Sequence, residues 1–211
     1  MPLASFLQPL QDLNVSVARA AAAAPTGGAG HSSGPLAGFA MQVQQQTEWC
    51  WAAVSASVAN FFGSLTWTQC KVAAGELGLN CCGSDGPQGC NQPWTLHQPL
   101  SRVGHFNRMS SASTSFIDSQ NEINAGRPLC CRIAWARGNA HFVALGGCST
   151  APDGTEYVDS YDPFYGLVQK TYADFVSAYL TVGDSWTHSY FTIKSGATGG
   201  ATPSVNFPKS E

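Results

Sequence analysis

The pattern of apolar and polar residues divides the chain into a helical first half and a strand-rich second half. The apolar run 50–62 ends at Gly63 and predicts a buried helix. Helical spacing and capping residues predict further helices over 68–77, 94–103, 115–124 and 172–180. Short segments punctuated by Gly or Pro predict strands over 129–135, 141–146, 156–161, 167–171 and 189–194. Helices followed by strands predict an α+β fold rather than alternating βαβ units.

The two ends of the chain differ in texture from its middle. Residues 1–37 end in an alanine run and a Gly- and Ser-rich stretch, which predicts either a disordered tail or a propeptide or delivery segment. The first positive charge is Arg19, so a conventional secretory signal is not visible. Residues 38–195 carry the globular pattern, and 196–211 are predicted to be a loose tail.

Composition and charge exclude several classes of partner. Apolar residues make up 44% of the 211, enough for a hydrophobic core. The net charge is −3 and there is no basic cluster, so we do not expect nucleic-acid binding. No run approaches 18 apolar residues, so no membrane-spanning helix is expected.

The chain has eight cysteines, which is many for a cytosolic protein of this size. No C-x2-C pair occurs, which argues against a zinc ribbon or finger. The cysteines are either small buried apolar residues or a disulfide framework from an oxidising compartment. If one thiol stays reduced for chemistry, three bridges and one spare thiol fit the count, but the spacing does not fix the connectivity.

Cys50 is the strongest candidate for a chemical role because it begins the predicted buried helix. The unpaired N–H groups and the dipole of a helix start favour an anion, and the thiolate is the nucleophilic form of cysteine. Glu48 opposes this effect slightly, and a nearby imidazolium would outweigh it.

His141 is the best placed of the five histidines to be that imidazolium. It begins the apolar segment HFVALGG, so a strand would anchor it in the core while its ring faces a cleft. A core histidine with a satisfied hydrogen bond is the alternative. The other histidines lie in the linker, in the helical half with no strand edge nearby, or at the start of the last strand: His31, His97 and His105, and His188.

Asp162 is predicted to orient the imidazole by accepting its other N–H. A PDGT turn between the two residues would pair their strands and bring Asp162 near His141. Asp159 is the competitor, but its side chain would point to the opposite face of the strand. A carboxylate that only caps a turn is the alternative role for Asp162.

Acyl chemistry also needs oxyanion donors, and we consider the Cys50 N–H together with an upstream glutamine: Gln42, Gln44, Gln45 or Gln46.

These motifs together resemble the papain-like cysteine peptidases. The stretch QQQTEWCWAAVSAS is most similar to the bacterial branch that includes the staphopains and the AvrRpt2-type effector peptidases. INAGRPLCCRI, HFVALGG and YVDSYDP then follow that branch's order of a Gly-Arg-Pro strand, a histidine strand and an Asp-Pro turn. The resemblance covers residues 38–194. It departs from papain itself, whose C-G-S-C-W context is absent because Glu48 and Trp49 precede the cysteine.

The resemblance implies a papain-like fold, in which a helical lobe packs against an antiparallel β-barrel-like lobe with the active-site cleft between them. It implies that Cys50 is the nucleophile, that His141 is the general base and acid, that Asp162 orients the ring and that Gln44 helps bind the oxyanion. The implied reaction attacks a peptide carbonyl and hydrolyses a thioester, without a metal or organic cofactor. We expect a monomer that acts on protein or peptide substrates and is secreted or delivered out of a bacterial cell.

The cysteine-rich loop 80–93 is additional to the minimal pattern of this family. A bridge from Cys70 to Cys81 or Cys82, or one involving Cys90, would staple this loop. Three further cysteines lie on neighbouring predicted strands and could cross-link: Cys130, Cys131 and Cys148.

Two other functions fit the same motifs. A transglutaminase- or ligase-like acyltransferase would pass the thioester to an amine instead of water. A non-catalytic papain-like module would only bind peptides, although it would not need the intact Cys, His, Asp and Gln set.

Overall fold

The computed structural model describes residues 34–83 and 89–195. Its helices are α1 (Cys50–Phe61), α2 (Gln69–Leu77), α3 (His97–Arg102), α4 (Phe116–Asn124) and α5 (Tyr172–Ser177). Its strands are β1 (Phe106–Ser110), β2 (Leu129–Ala134), β3 (Ala140–Thr150), β4 (Glu156–Asp162), β5 (Gly166–Thr171) and β6 (Ser185–Thr192). The expectations for residues 1–33 and 196–211 lie outside the described residues. No helix in the described part of the chain has the length and apolar character needed to cross a membrane.

The six strands form one antiparallel sheet in the order β1-β6-β2-β3-β4-β5. The sheet is open, with β1 and β5 at its edges, and its central strands β2 and β3 are mostly buried. Helices α1 and α4 pack against β3, while α5 packs against β6 and β4. The predicted α+β class, with helices on an antiparallel sheet, is confirmed.

α1 is the central helix, and small residues on most of its faces allow other elements to surround it. All ten residues from Cys50 to Ala59 are buried. Its two serines keep their hydroxyls satisfied in the core, because Ser55 donates to the Trp51 carbonyl at 2.8 Å and Ser57 to the Ala53 carbonyl at 2.7 Å. The helix therefore places Cys50 beside β3, a central strand of the sheet.

Capping residues mark the other helices as the sequence suggests. The Thr68 hydroxyl accepts from the Lys71 N–H at 3.3 Å, and Ser115 does the same for Asp118 at 3.1 Å. α2 ends at Gly78, which has the left-handed φ of 68° that favours glycine. Predicted helices 68–77 and 115–124 are thus confirmed. α3 and α5 are shorter than predicted, and residues 94–96 continue the preceding loop instead.

Two strand expectations are wrong. β1 is an additional strand, and His105 lies immediately before it. The expectation that this histidine has no strand edge nearby is therefore wrong. β6 starts four residues earlier than predicted, so His188 lies within the strand and does not open it. Both differences have one cause. Neither FNRMS nor SWTH alternates cleanly between apolar and polar residues, so their strand conformation depends on tertiary contacts and not on a local pattern.

The structure pairs Cys70 with Cys82 and Cys81 with Cys90. This agrees with one of the two partners expected for Cys70 and with a bridge involving Cys90. The expected cross-link within the sheet is wrong, since three buried cysteines are present as thiols: Cys130, Cys131 and Cys148. Burial raises the pKa of all three thiols, so they are poor nucleophiles.

Candidate active site

Cys50 faces a groove between the helical part and the sheet. The groove has a volume of about 140 Å³, and its walls include Trp94 from the helical side and Arg132 and Phe142 from the sheet. No side chain caps the start of α1, and its first turn has no acidic residue. The positive end of the helix dipole therefore acts on the sulfur and stabilises negative charge there.

His141, the second residue of β3, joins the sulfur to a carboxylate. Its Nε2–H donates to Asp162 Oδ1 at 2.9 Å, and its ring lies close enough to Cys50 for that side chain to raise its pKa. Burial lowers the pKa of His141, but the hydrogen bonds and charges of Asp162 and Cys50 outweigh it and raise the pKa to about 9. The ring is therefore an imidazolium at neutral pH. The three residues singled out in the sequence come together in one chain of contacts.

Trp135 covers one face of the imidazole. The two rings are stacked, with centroids 5.6 Å apart and an interplanar angle of 18°. An indole face attracts a cation and excludes water, so Trp135 favours the charged ring and protects it from solvent.

The turn that follows β2 brings Asn139 to the groove with a φ of 71°, which is uncommon for a residue other than glycine.

Asp162 ends β4 and is almost fully buried, at 2% exposure. Its Oδ1 accepts the backbone N–H groups of Phe164 at 2.6 Å and Tyr165 at 2.9 Å in addition to the His141 bond. Burial raises its pKa, but the hydrogen bond and charge of His141 and these N–H groups outweigh burial and lower the pKa overall. The same carboxylate thus caps the turn and orients the ring, so the two roles considered for it are compatible.

Asp159, the competitor, does not approach the ring. It lies against Gly147 of β3 and accepts from Gln169 Nε2 at 2.8 Å. The remaining described histidines also pack elsewhere. His105 Nδ1–H donates to the Ile193 carbonyl at 2.9 Å, just after β6. His97 packs near Phe106, and His188 stacks on Tyr190.

Tyr179 also contacts Asp162, and no pattern in the sequence indicates this role. Its hydroxyl donates to Asp162 Oδ2 at 2.8 Å, and the residue is fully buried. It lies just after α5, so only the packing of that helix on β4 and β6 brings it to the carboxylate. The sequence does carry a signal for Trp135. This aromatic residue ends the predicted strand 129–135, which turns into the histidine strand, so its side chain is expected near the ring.

We expect Tyr179→Phe to destabilise the protein by about 1–3 kcal/mol, because Asp162 Oδ2 would be buried without its donor. The pKa of Asp162 would rise, so the acid side of the pH–rate profile would move to higher pH. Turnover at neutral pH would stay near that of the wild type, since the carboxylate remains ionised. Urea unfolding and a pH profile measure these effects. Tyr172→Phe, which removes a hydroxyl bonded to the Thr114 carbonyl, is the matched control and should leave the profile unchanged.

Gln44 lies in the loop before α1 and bonds both to that loop and to the turn after β4. Its Nε2 donates to the carbonyls of Gln46 at 3.0 Å and Thr47 at 2.9 Å, and its backbone N–H donates to the Pro163 carbonyl at 2.9 Å. Its Oε1 is buried with no hydrogen-bond partner among the described residues. An exchanged amide would set this oxygen against two carbonyls, so the hydrogen bonds fix the orientation of the amide.

Gln42 and Gln45 have a different task. Buried Gln69 ties them together, because its Oε1 accepts the Gln45 backbone N–H at 2.9 Å while its Nε2 donates to Gln42 Oε1 and the Val43 carbonyl. Of the four glutamines considered, Gln44 is the one whose side chain donates to the segment immediately before Cys50. No group of three or more potential metal ligands occurs within residues 34–83 and 89–195.

Comparison with known proteins agrees with this geometry. A family model described as papain-like cysteine protease AvrRpt2 matches residues 37–179, about two thirds of the chain. The matched span contains α1, the histidine strand β3 and the Asp-Pro turn after β4. No curated protein matches the chain significantly. The family match confirms the papain-like fold and the expected class of enzyme, a hydrolase that acts on protein substrates. The chain belongs to the papain-like cysteine protease AvrRpt2 family and is a cysteine-type peptidase.

Proposed function

We propose that the protein is a cysteine endopeptidase that uses Cys50 as nucleophile, His141 as general acid and base, and Asp162 as the residue that orients the imidazole. One observation carries this proposal: His141 donates to the buried Asp162 carboxylate and also lies within interaction range of the Cys50 side chain, which helps to raise its pKa. The start of α1 and the stacked Trp135 both favour a thiolate beside an imidazolium, which is the reactive form of such a pair.

In the first half of the proposed reaction, the Cys50 sulfur attacks the carbonyl carbon of the scissile peptide bond. The new C–S bond moves the carbonyl electron pair onto oxygen. When that oxyanion collapses, the C–N bond breaks and the His141 imidazolium gives its proton to the departing amine, which leaves a thioester on Cys50.

In the second half, neutral His141 takes a proton from water as the water oxygen attacks the thioester. The C–S bond then breaks, which releases a carboxylic acid and restores the sulfur beside an imidazolium. Asp162 keeps the ring in one orientation throughout, because its bonds from Phe164, Tyr165 and Tyr179 hold the carboxylate in place.

The oxyanion needs hydrogen-bond donors, and we propose the Cys50 backbone N–H as the first and the Gln44 side chain as the second. The two hydrogens of the Gln44 amide are directed at the Gln46 and Thr47 carbonyls. Donation to an oxyanion therefore requires one of these bonds to be exchanged for the charged oxygen, and a charge-assisted hydrogen bond is the stronger of the two.

We expect Gln44→Ala to lower kcat by about 10²-fold, the scale for losing one oxyanion donor. Gln46→Ala is the matched control, since it keeps the backbone carbonyl that Gln44 uses and should retain kcat. Steady-state kinetics on one peptide substrate compare the variants. A Gln44→Ala enzyme with the kcat of the wild type would remove Gln44 from the oxyanion site.

Incubation of the purified full chain with a peptide library tests the proposed function. Mass spectrometry should find new peptide termini in the untreated sample and none after alkylation with iodoacetamide. A parallel sample with an added amine distinguishes the acyl acceptor: hydrolysis leaves free carboxyl ends, whereas an acyltransferase would join the amine to them. Absence of any cleavage by a folded protein with an unmodified Cys50, or amide products only, would overturn the proposal.

We also propose that the protein works outside a reducing cytosol. The two disulfides, Cys70–Cys82 and Cys81–Cys90, support this proposal because such bonds persist mainly in oxidising environments. Mass analysis of the protein isolated from its natural location, with its thiols trapped at lysis, would test it. Recovery of both bonds in reduced form would contradict it.

A further inference from the structure

We propose that residues 89–92, which we call the 89–92 segment, are a positioning element for the Cys50 nucleophile. The inference rests on the proposed function of Cys50. Cys50 is flanked by two buried tryptophans, and both of their indole N–H groups donate to this segment. Trp49 Nε1 donates to the Cys90 carbonyl at 2.7 Å, and Trp51 Nε1 donates to the Gln92 carbonyl at 3.1 Å.

Asn91 extends the contact to the residues just before the nucleophile. Its Oδ1 accepts the Glu48 backbone N–H at 2.9 Å, and its Nδ2 donates to the Thr47 hydroxyl at 2.9 Å. Three consecutive residues of the segment therefore hold four residues around Cys50, two through backbone carbonyls and two through one asparagine side chain. Gln44 Nε2 donates to the backbone carbonyl of the same Thr47.

The 89–92 segment has no helix or strand of its own, so its position depends on covalent tethers. Cys90 is bonded to Cys81, and the adjacent Cys82 is bonded to Cys70 in α2. α2 in turn packs against α1. The two disulfides thus link the segment to the same helical layer that carries Cys50, and they restrict the positions that the segment can adopt.

Geometry explains why this matters for the reaction. The sulfur belongs to the helical part, whereas its partner His141 belongs to the sheet, so any shift of the Cys50 backbone changes the distance between them. A misplacement of about 1 Å at a reacting atom costs about 10²-fold in rate. The contacts of the 89–92 segment therefore act on the chemical step more than on the folding of the core.

The experiment compares Asn91→Ala with Asn107→Ala, an exposed asparagine on β1 that serves as matched control. We expect Asn91→Ala to lower kcat by about 10- to 10²-fold, with KM and the melting temperature close to wild type. The rate at which iodoacetamide alkylates Cys50 should fall in parallel, because the sulfur is no longer held beside His141. Asn91→Asp keeps the acceptor for the Glu48 N–H and should restore part of both rates.

A second variant tests the tether. Cys81→Ser combined with Cys90→Ser should lower kcat and the alkylation rate more than Asn91→Ala does. If this double variant does not fold, Asn91→Ala alone decides the question, since it alters a side chain on an exposed loop. Wild-type kcat and alkylation rate in folded Asn91→Ala would overturn the inference, as would an equal loss in Asn107→Ala.

Failure of the inference can be told apart from failure of the proposed function. If Cys50→Ala still cleaves peptides, the assigned nucleophile is wrong. If Cys50→Ala is inactive while Asn91→Ala has normal kcat and a normal alkylation rate, the nucleophile is right and the positioning role is wrong.

Discussion

Cys50→Ala is expected to abolish peptide cleavage and leave the fold intact. Loss of a nucleophile that acts as a unit with its base costs about 10⁶-fold in kcat, because no covalent intermediate forms. Alanine is the best helix former, and the substitution removes one atom that faces a groove, so α1 should persist. Cleavage assays, together with thermal unfolding of the same preparation, measure the two halves of the prediction.

The matched control for this variant is Cys130→Ala. It removes another thiol, but one that is fully buried in β2 away from the groove. Folded Cys130→Ala should therefore retain turnover even if its melting temperature falls. Residual cleavage by Cys50→Ala above background would show that another group is the nucleophile.

His141→Ala is expected to cause a loss of similar size, because the departing amine would have no proton donor and the thioester no base. Stability should also fall, since Asp162 would remain buried without its ring partner. His188→Ala is the matched control and should keep its activity, because that ring stacks on Tyr190 and makes no contact with the triad. Equal losses in both variants would refute the assignment.

The raised pKa of His141 predicts how activity and stability depend on pH. Because the imidazolium is needed to protonate the leaving amine, kcat/KM should fall as pH rises through about 9. Stability should follow the same group: its contribution is complete below the ordinary value of 6.5 and is lost as pH rises through about 9. Asp162 acts in the opposite direction, since its lowered pKa gives stability above 3.8 that is lost as pH falls through the folded-state value.

The elements that hold the three reacting groups could be predicted because each has a strong local signal. The apolar run after Cys50, the apolar strand after His141 and the turn chemistry of Asp162-Pro163 each depend on neighbours in the sequence. Antiparallel pairing of β3 with β4 then brings the second and third groups together, as the PDGT turn suggested.

The groups that support the site could not be predicted, because they come from distant parts of the chain. Asn91 lies 41 residues after Cys50, and Tyr179 lies 17 residues after Asp162. Their neighbours in the sequence would fit an ordinary polar loop and an ordinary helix end. β1 was missed for a related reason, since an edge strand with exposed residues carries little hydrophobic period. The sequence does not indicate which partner Cys70 takes and which partner Cys90 takes, because adjacent Cys81 and Cys82 are interchangeable by spacing.

The Cys81–Cys90 bond sets a redox requirement that runs against that of the nucleophile. Cys50 must carry a reduced sulfur, while the neighbouring bridge must stay oxidised. A strong dithiol reductant gives two electrons to such a bridge, breaks it and becomes a cyclic disulfide itself. A reductant concentration that keeps Cys50 reduced would therefore also break the bond that holds the 89–92 segment. Activity should thus peak at an intermediate dose of reductant and decline on either side.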